Sequence, residues 1–178
     1  QQELGTRFGV VIPVYFTPET DNALVQRLLL MTLQDSSAYL PWEHVWLVVD
    51  GDGRAAGILK ELRTSLGPYN IIHEPSNRGK LWVVRRAMQA ALSSESGLDY
   101  LVTRDCDGDH AASDLPALVR AAELLRQQTG STATLVIGAR RSRERPMGWL
   151  RGQLEQLLDQ ITVDALQYVL ARCGRTMN

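Results

Sequence analysis

Short apolar segments rich in β-branched residues alternate along this chain with longer segments of helical periodicity. The apolar segments have the length of buried strands and end in polar or glycine-rich residues, whereas the longer segments repeat apolar residues at helical spacing. Five strands are predicted at residues 8–15, 44–49, 70–73, 100–103 and 134–137, and helices after Thr17 and at 55–65, 80–92, 115–127 and 149–170. Such alternation requires right-handed crossovers and predicts an α/β fold with a mostly parallel sheet.

The first helix has a clear sequence signal for its start. Thr17 is a residue of the N-cap type, Pro18 suits the first helical position, and Glu19 is an acid in the first turn. We therefore predict that this helix begins directly after the first strand.

Length and composition fit a globular protein and exclude several classes. The 178 residues suit a single domain with a real hydrophobic core. The formal net charge of −1 lacks the basic excess of nucleic-acid-binding proteins, so no nucleic-acid partner is expected. The two cysteines, Cys106 and Cys173, lack the spacing of a zinc site or a disulfide framework and fit a reducing compartment. No run in the sequence approaches the roughly 20 apolar residues that cross a bilayer.

Polar or glycine-rich residues follow four of the predicted strands, at 13–17, 50–53, 105–110 and 138–141. In open parallel sheets, ligands bind beyond the carboxyl ends of the strands. We therefore expect these four stretches to share one edge of the sheet and to form the functional site.

Residues 105–110 read Asp-Cys-Asp-Gly-Asp-His and are the most informative stretch. Three carboxylates this close together repel one another without a cation, and oxygen ligands of this kind suit Mg²⁺ or Mn²⁺. An EF-hand loop is excluded, because the glycine is fourth rather than sixth and Pro116 takes the place of the final glutamate. A solvated acidic turn before the next helix is the remaining alternative.

Two further stretches have residues that suit the binding of a nucleotide. At 50–53, a carboxylate could accept hydrogen bonds from a base or ribose while glycines allow close approach; an ordinary turn and a partial dinucleotide fingerprint are the alternatives. At 77–80, two cations and a helix N-terminus could face a phosphate, or simply begin a helix. The residues around Lys80 do not match the P-loop spacing.

Five motifs follow one another along the chain: Pro13-Val14-Tyr15, Asp50, Asn77-Arg78-Gly79-Lys80, Asp105-Cys106-Asp107 and Gly138-Ala139-Arg140. Taken in this order, they resemble those of the family 2 glycosyltransferases with the GT-A fold, over roughly residues 8 to 155. Within that family the chain looks most like the dolichol-phosphate or polyprenyl-phosphate sugar transferases. Asp109 and Ala139 depart from that subgroup, which commonly has glutamine and serine at these positions.

The resemblance implies a role for each matching position. The nucleotide-sugar donor, linked to UDP or GDP, would be bound by Pro13, Tyr15, Asp50, Lys80, Asp105 and Arg140, with Asp52 as a neighbour. Asp107 and Asp109 would hold Mg²⁺ or Mn²⁺, and Asp105 and Asp107 would be the catalytic carboxylates.

The resemblance also bears on the acceptor side. The acceptor half of these enzymes follows the matched region, and little of this chain remains after Gly138. We therefore expect one domain, residues 1–178, truncated on its acceptor side. The C-terminal helical pattern could pack on the sheet, contact a membrane or contact another domain. The expected location is the cytoplasm or the cytoplasmic face of a membrane.

The implied reaction is a single inverting displacement in which the metal offsets charge on the departing diphosphate. A polyprenyl phosphate acceptor is already anionic and needs no general base, whereas a hydroxyl acceptor does. The alternative is a non-catalytic module that binds the nucleotide sugar without turning it over. A nucleotidyltransferase is disfavoured, because no glycine-rich loop follows the first strand.

Overall fold

The computed structural model describes residues 7–94, 97–131, 134–138 and 149–174. Its strands are β1 (Phe8–Val14), β2 (Val45–Asp50), β3 (Asn70–Glu74) and β4 (Tyr100–Thr103). Its helices are α1 (Asn22–Ser37), α2 (Gly53–Leu66), α3 (Lys80–Ser93), α4 (Leu115–Thr129) and α5 (Trp149–Arg172), and 3₁₀ turns lie at Trp42–His44 and Ala112–Asp114.

Residue contacts divide the chain into two units, Gln1–Ile137 and Gly138–Asn178. The first unit contains the sheet and α1 to α4, and the second contains α5. A single domain over 1–178 stays a prediction. Among the described residues, no helix has the length and hydropathy needed to span a bilayer.

The four strands form one sheet in the order β3-β2-β1-β4, and every pair is parallel. The central strand β1 pairs on one side with β2 and on the other with β4, so that Val11 lies between Trp46 and Thr103. Parallel strands require a crossover between them, and the helices supply it. The predicted α/β class with a parallel sheet is confirmed.

Both faces of the sheet are covered, which explains why β1 and β2 are almost continuously apolar. Alternate residues of β1, such as Val10 and Ile12, pack with α1, α2 and α4 on one face. Val11 and Val48 pack on the other face against Val83 and neighbouring residues of α3. Each fully buried aliphatic side chain of this kind contributes roughly 1.5–3 kcal/mol. The two clusters hold the carboxyl ends of β1 and β2 at fixed positions.

The predicted start of the first helix is wrong. The helix begins at Asn22, and the Asp21 carboxylate caps it by accepting a hydrogen bond from the Leu24 amide at 3.1 Å. Thr17 instead opens a turn, closed by the Thr20 amide donating to the Thr17 carbonyl at 2.9 Å. Because the φ of proline suits the second position of a turn as well as the first position of a helix, Pro18 does not distinguish the two.

The predicted strand at 134–137 is also wrong. Residues 134–138 adopt no regular secondary structure, and the Leu135 and Ile137 side chains are 76% and 78% exposed. A β-branched run indicates that residues can fit a sheet, but a strand also needs a neighbouring edge to pair with. In the part of the chain that the structure describes, β4 pairs with β1 alone.

Candidate functional site

A cleft of about 370 Å³ opens at the carboxyl ends of β1, β2 and β4. Three of the four stretches that the sequence places at this edge contribute to it. Most of the fourth stretch, residues 139–141 with Arg140, lies outside the described residues. The lining residues are Pro13, Val14, Tyr15, Phe16, Asp50, Asn77, Gly79, Lys80, Val83, Asp105, Cys106 and Asp107.

Asp50 is the last residue of β2 and is only 3% exposed. Its two carboxylate oxygens accept hydrogen bonds from the backbone amides of Arg78 at 2.6 Å and Gly79 at 2.9 Å. A carboxylate that accepts two amide hydrogen bonds is held firmly in place. Asp50 therefore fixes the loop that leads into α3, and its predicted contact with a nucleoside stays a prediction.

Asp52 has a structural role in addition to the one implied by its position beside Asp50. Its carboxylate caps α2 by accepting a hydrogen bond from the Ala55 amide at 3.1 Å, and it lies 3.4 Å from the Arg54 guanidinium. Asp52 is not among the residues that line the cleft. The structure thus assigns it to the start of a helix, and its binding of a nucleotide sugar stays a prediction.

Lys80 begins α3 and reaches across the cleft to the end of β4. Its ammonium group lies 2.5 Å from Asp105 Oδ1. The lysine side chain is 66% exposed and that of Asp105 is 32% exposed, so solvent screens this ion pair in part. The sequence placed both residues at the site but did not predict that they pair.

The acidic loop after β4 is ordered by its own polar groups. The Asp109 amide donates to Asp107 Oδ1 at 3.0 Å, and the Asp105 amide donates to Nδ1 of His110 at 3.2 Å. Asp105 and Asp107 line the cleft, whereas Asp109 is exposed outside that lining. Across the residues that the structure describes, no three His, Cys, Asp or Glu side chains converge on a position for a metal ion.

Arg104 holds this loop against α1 and was missed by the sequence analysis. Its side chain is 3% exposed and donates to the His110 carbonyl at 2.7 Å and to Asp35 and Ser36 at 3.1 Å each. Asp35 also accepts from the amide of Ala112 at 3.0 Å. An arginine directly before an acidic motif was the available signal, but its partners lie far away in the sequence.

Replacing Arg104 with methionine is expected to destabilise the protein by about 2–3 kcal/mol. Its three hydrogen bonds, at about 1.5–3 kcal/mol each, would sum to more. Methionine avoids the cost of burying the guanidinium charge, however, and the stem keeps its packing. Asp35, with a side chain 47% exposed, remains solvated, which limits the cost. Urea unfolding measures the change. Arg7→Met is the matched control, because the Arg7 side chain is 43% exposed and its ion pairs are screened. An equal loss of unfolding free energy in the two variants would contradict the role of Arg104 in holding the loop against α1.

Cys106 lies between the two cleft aspartates but is 7% exposed. Burial, with a smaller effect from the charges of Asp107 and Asp105, raises the pKa of its thiol to about 11. The thiol therefore stays protonated near neutral pH and is a poor nucleophile. Its backbone carbonyl accepts a hydrogen bond from the Thr32 hydroxyl at 3.1 Å, which ties the loop to α1.

Comparison with known proteins agrees with this geometry. Residues 9–170 match the model of the family described as glycosyl transferase family 2. No curated protein and no solved structure matches the chain significantly. The match covers the sheet, the cleft and the acidic loop, and it includes most of α5.

Proposed function

The chain belongs to glycosyl transferase family 2, and we propose that it transfers a sugar from a nucleotide-diphosphate donor by a metal-dependent inverting displacement. Membership supports glycosyl transfer in general and the GT-A type of α/β fold. One observation carries the more specific proposal: two carboxylates and a lysine meet in one cleft at the carboxyl ends of parallel strands. Ligands of this class of fold bind at that edge.

The cleft has two chemically different sides that suit the two parts of a donor. Pro13 and Tyr15, at the end of β1, offer apolar and aromatic surface, and the Tyr15 side chain is half exposed. Asp105 and Asp107, with Lys80, provide charge at the end of β4. We infer that the base of UDP or GDP lies on the first side and the diphosphate on the second.

The residues present fit a divalent cation delivered with the nucleotide. Mg²⁺ is usually bound by one or two carboxylates together with substrate phosphates and water, rather than by a complete protein cage. Asp107 is oriented by the amide of Asp109 and faces the cleft, which suits a carboxylate ligand. Asp105 is the second candidate, and Asp109 remains a predicted ligand. When bound, Mg²⁺ or Mn²⁺ would neutralise charge on the leaving diphosphate.

The proposed displacement forms one bond and breaks one bond at the anomeric carbon of the sugar. An acceptor oxygen forms a bond to the anomeric carbon while the bond from that carbon to the diphosphate breaks, and the electron pair leaves with the diphosphate. A lipid phosphate acceptor, such as a polyprenyl phosphate, supplies an oxygen that is already anionic, so that no protein base is needed.

Turnover tests the proposal. The protein is incubated with UDP- and GDP-linked sugars, with Mn²⁺ or with excess chelator, and the released nucleotide diphosphate is measured. Metal-dependent release, even slow release to water, is expected for one of the two bases. Metal-dependent binding of the nucleotide without any release would instead support the non-catalytic module.

A further inference from the structure

The cleft carries more negative than positive charge. Of the described residues that line it, Asp50, Asp105 and Asp107 are acidic and Lys80 is the only basic one. The oxygens of Asp50 accept hydrogen bonds from two amides, so Asp105, which Lys80 contacts, and Asp107 are the carboxylates left for a ligand. A nucleotide diphosphate would be repelled by these two carboxylates unless further positive charge arrived with it.

The backbone places Lys80 for this contact. The amides of Arg78 and Gly79 are bound to Asp50, and Gly79 has a φ of 91° that turns the chain into α3. Lys80 follows directly as the first residue of that helix, and its ammonium reaches Asp105 Oδ1. The ion pair therefore follows from the way the loop is anchored, while its solvent-exposed lysine stem keeps rotational freedom.

We propose that Lys80 is a resident counter-ion, which occupies the Asp105 carboxylate in the free protein and moves to the donor diphosphate when a divalent cation binds with the nucleotide. This inference rests on the proposed function. In the absence of nucleotide, the ammonium competes with the cation for Asp105. Once the diphosphate is present, the ammonium has a new anionic partner, and the cation and the lysine no longer compete.

The exchange has a consequence that separates it from a purely structural ion pair. Removal of the Lys80 charge should strengthen binding of the cation alone and weaken binding of the nucleotide with the cation. The effect of the cation on nucleotide affinity equals the effect of the nucleotide on cation affinity. Without the Lys80 charge the cation binds more tightly alone and the nucleotide binds less tightly with it, so each ligand should increase the affinity for the other by a smaller factor. Loss of a structural contact would weaken both.

The experiment uses Mn²⁺ as the probe in two titrations of the wild type, Lys80→Met and Lys80→Arg. Free Mn²⁺ is followed by its electron paramagnetic resonance signal without nucleotide, and UDP and GDP are titrated calorimetrically with Mn²⁺ present. For Lys80→Met we expect Mn²⁺ alone to bind about two- to fivefold more tightly, since partly exposed ion pairs are weak. The affinity for the nucleotide should fall by a factor of about ten or more, since the hydrogen bond from the Lys80 ammonium to the diphosphate is lost. Lys80→Arg should restore both affinities in part.

Lys60→Met is the matched control, because Lys60 is an exposed lysine on α2 that does not line the cleft. It should leave both affinities unchanged. If the wild type binds nucleotide with Mn²⁺ but Lys80→Met lowers or leaves unchanged its affinity for Mn²⁺ alone, the counter-ion role is overturned and the proposed function stands. If the wild type shows no Mn²⁺-dependent nucleotide binding, both are overturned.

Discussion

Asp107→Ala is expected to abolish metal-dependent binding of nucleotide diphosphates. The carboxylate lines the cleft and is oriented by the amide of Asp109. Replacing a residue that only supports a metal ligand typically lowers the metal affinity about 10–100-fold. Replacing a ligand itself should therefore lower the metal affinity about 100-fold or more. Calorimetric titration of UDP and GDP, with and without Mn²⁺, measures the change.

Two further variants sharpen this prediction. Asp114→Ala is the control, since Asp114 is an exposed aspartate of the 3₁₀ turn after the acidic loop and does not line the cleft. Asp109→Ala tests the second predicted ligand, which lies outside the lining. Metal-dependent binding that survives in Asp107→Ala would remove the metal role of Asp107. Loss of binding in Asp109→Ala with its fold intact would support Asp109 as a ligand.

Gly51→Ala is expected to destabilise the protein by about 2–5 kcal/mol. Gly51 has a φ of +77°, and a Cβ at this position would lie 2.6 Å from the backbone nitrogen of Asn77. The left-handed backbone costs about 1–2 kcal/mol for other residues, and forced overpacking adds about 1–3 kcal/mol. The neighbouring loop cannot move aside without breaking the hydrogen bonds from Arg78 and Gly79 to Asp50. Urea unfolding gives the change in the free energy of unfolding.

Gly130→Ala separates the two causes. Gly130 ends α4 with a φ of +67°, but an added Cβ would meet no atom within 4 Å. It should therefore lose only the conformational part, about 1–2 kcal/mol. If Gly51→Ala cost no more than this control, the close approach to Asn77 would not matter. Because the displaced loop leads into α3, whose first residue is Lys80, Gly51→Ala should also weaken nucleotide binding, whereas Gly130→Ala should not.

Local patterns explain what was predicted correctly. The apolar runs of β1 and β2 are buried on both faces of the sheet, and this burial is why they are apolar throughout. The rule for the carboxyl ends of parallel strands then placed Asp50, Asp105 and Asp107 near one another, and all three line the cleft together with Lys80. The errors at Thr17 and at 134–137 arose where a local signal fits two structures equally well.

The sequence by itself determined the α/β class and the edge of the sheet at which the cleft lies, because periodicity and strand ends are local properties. Only the tertiary structure decided the partner of each charged group. Asp50 binds an amide 28 positions away, Lys80 pairs with a residue 25 positions away, and Arg104 pairs with one 69 positions away. Such contacts depend on how the loops and α1 pack around the sheet. The geometry of packing, rather than residue type, therefore decides three contacts. Asp50 binds the loop before α3, Arg104 holds the acidic loop against α1, and Lys80 pairs with Asp105.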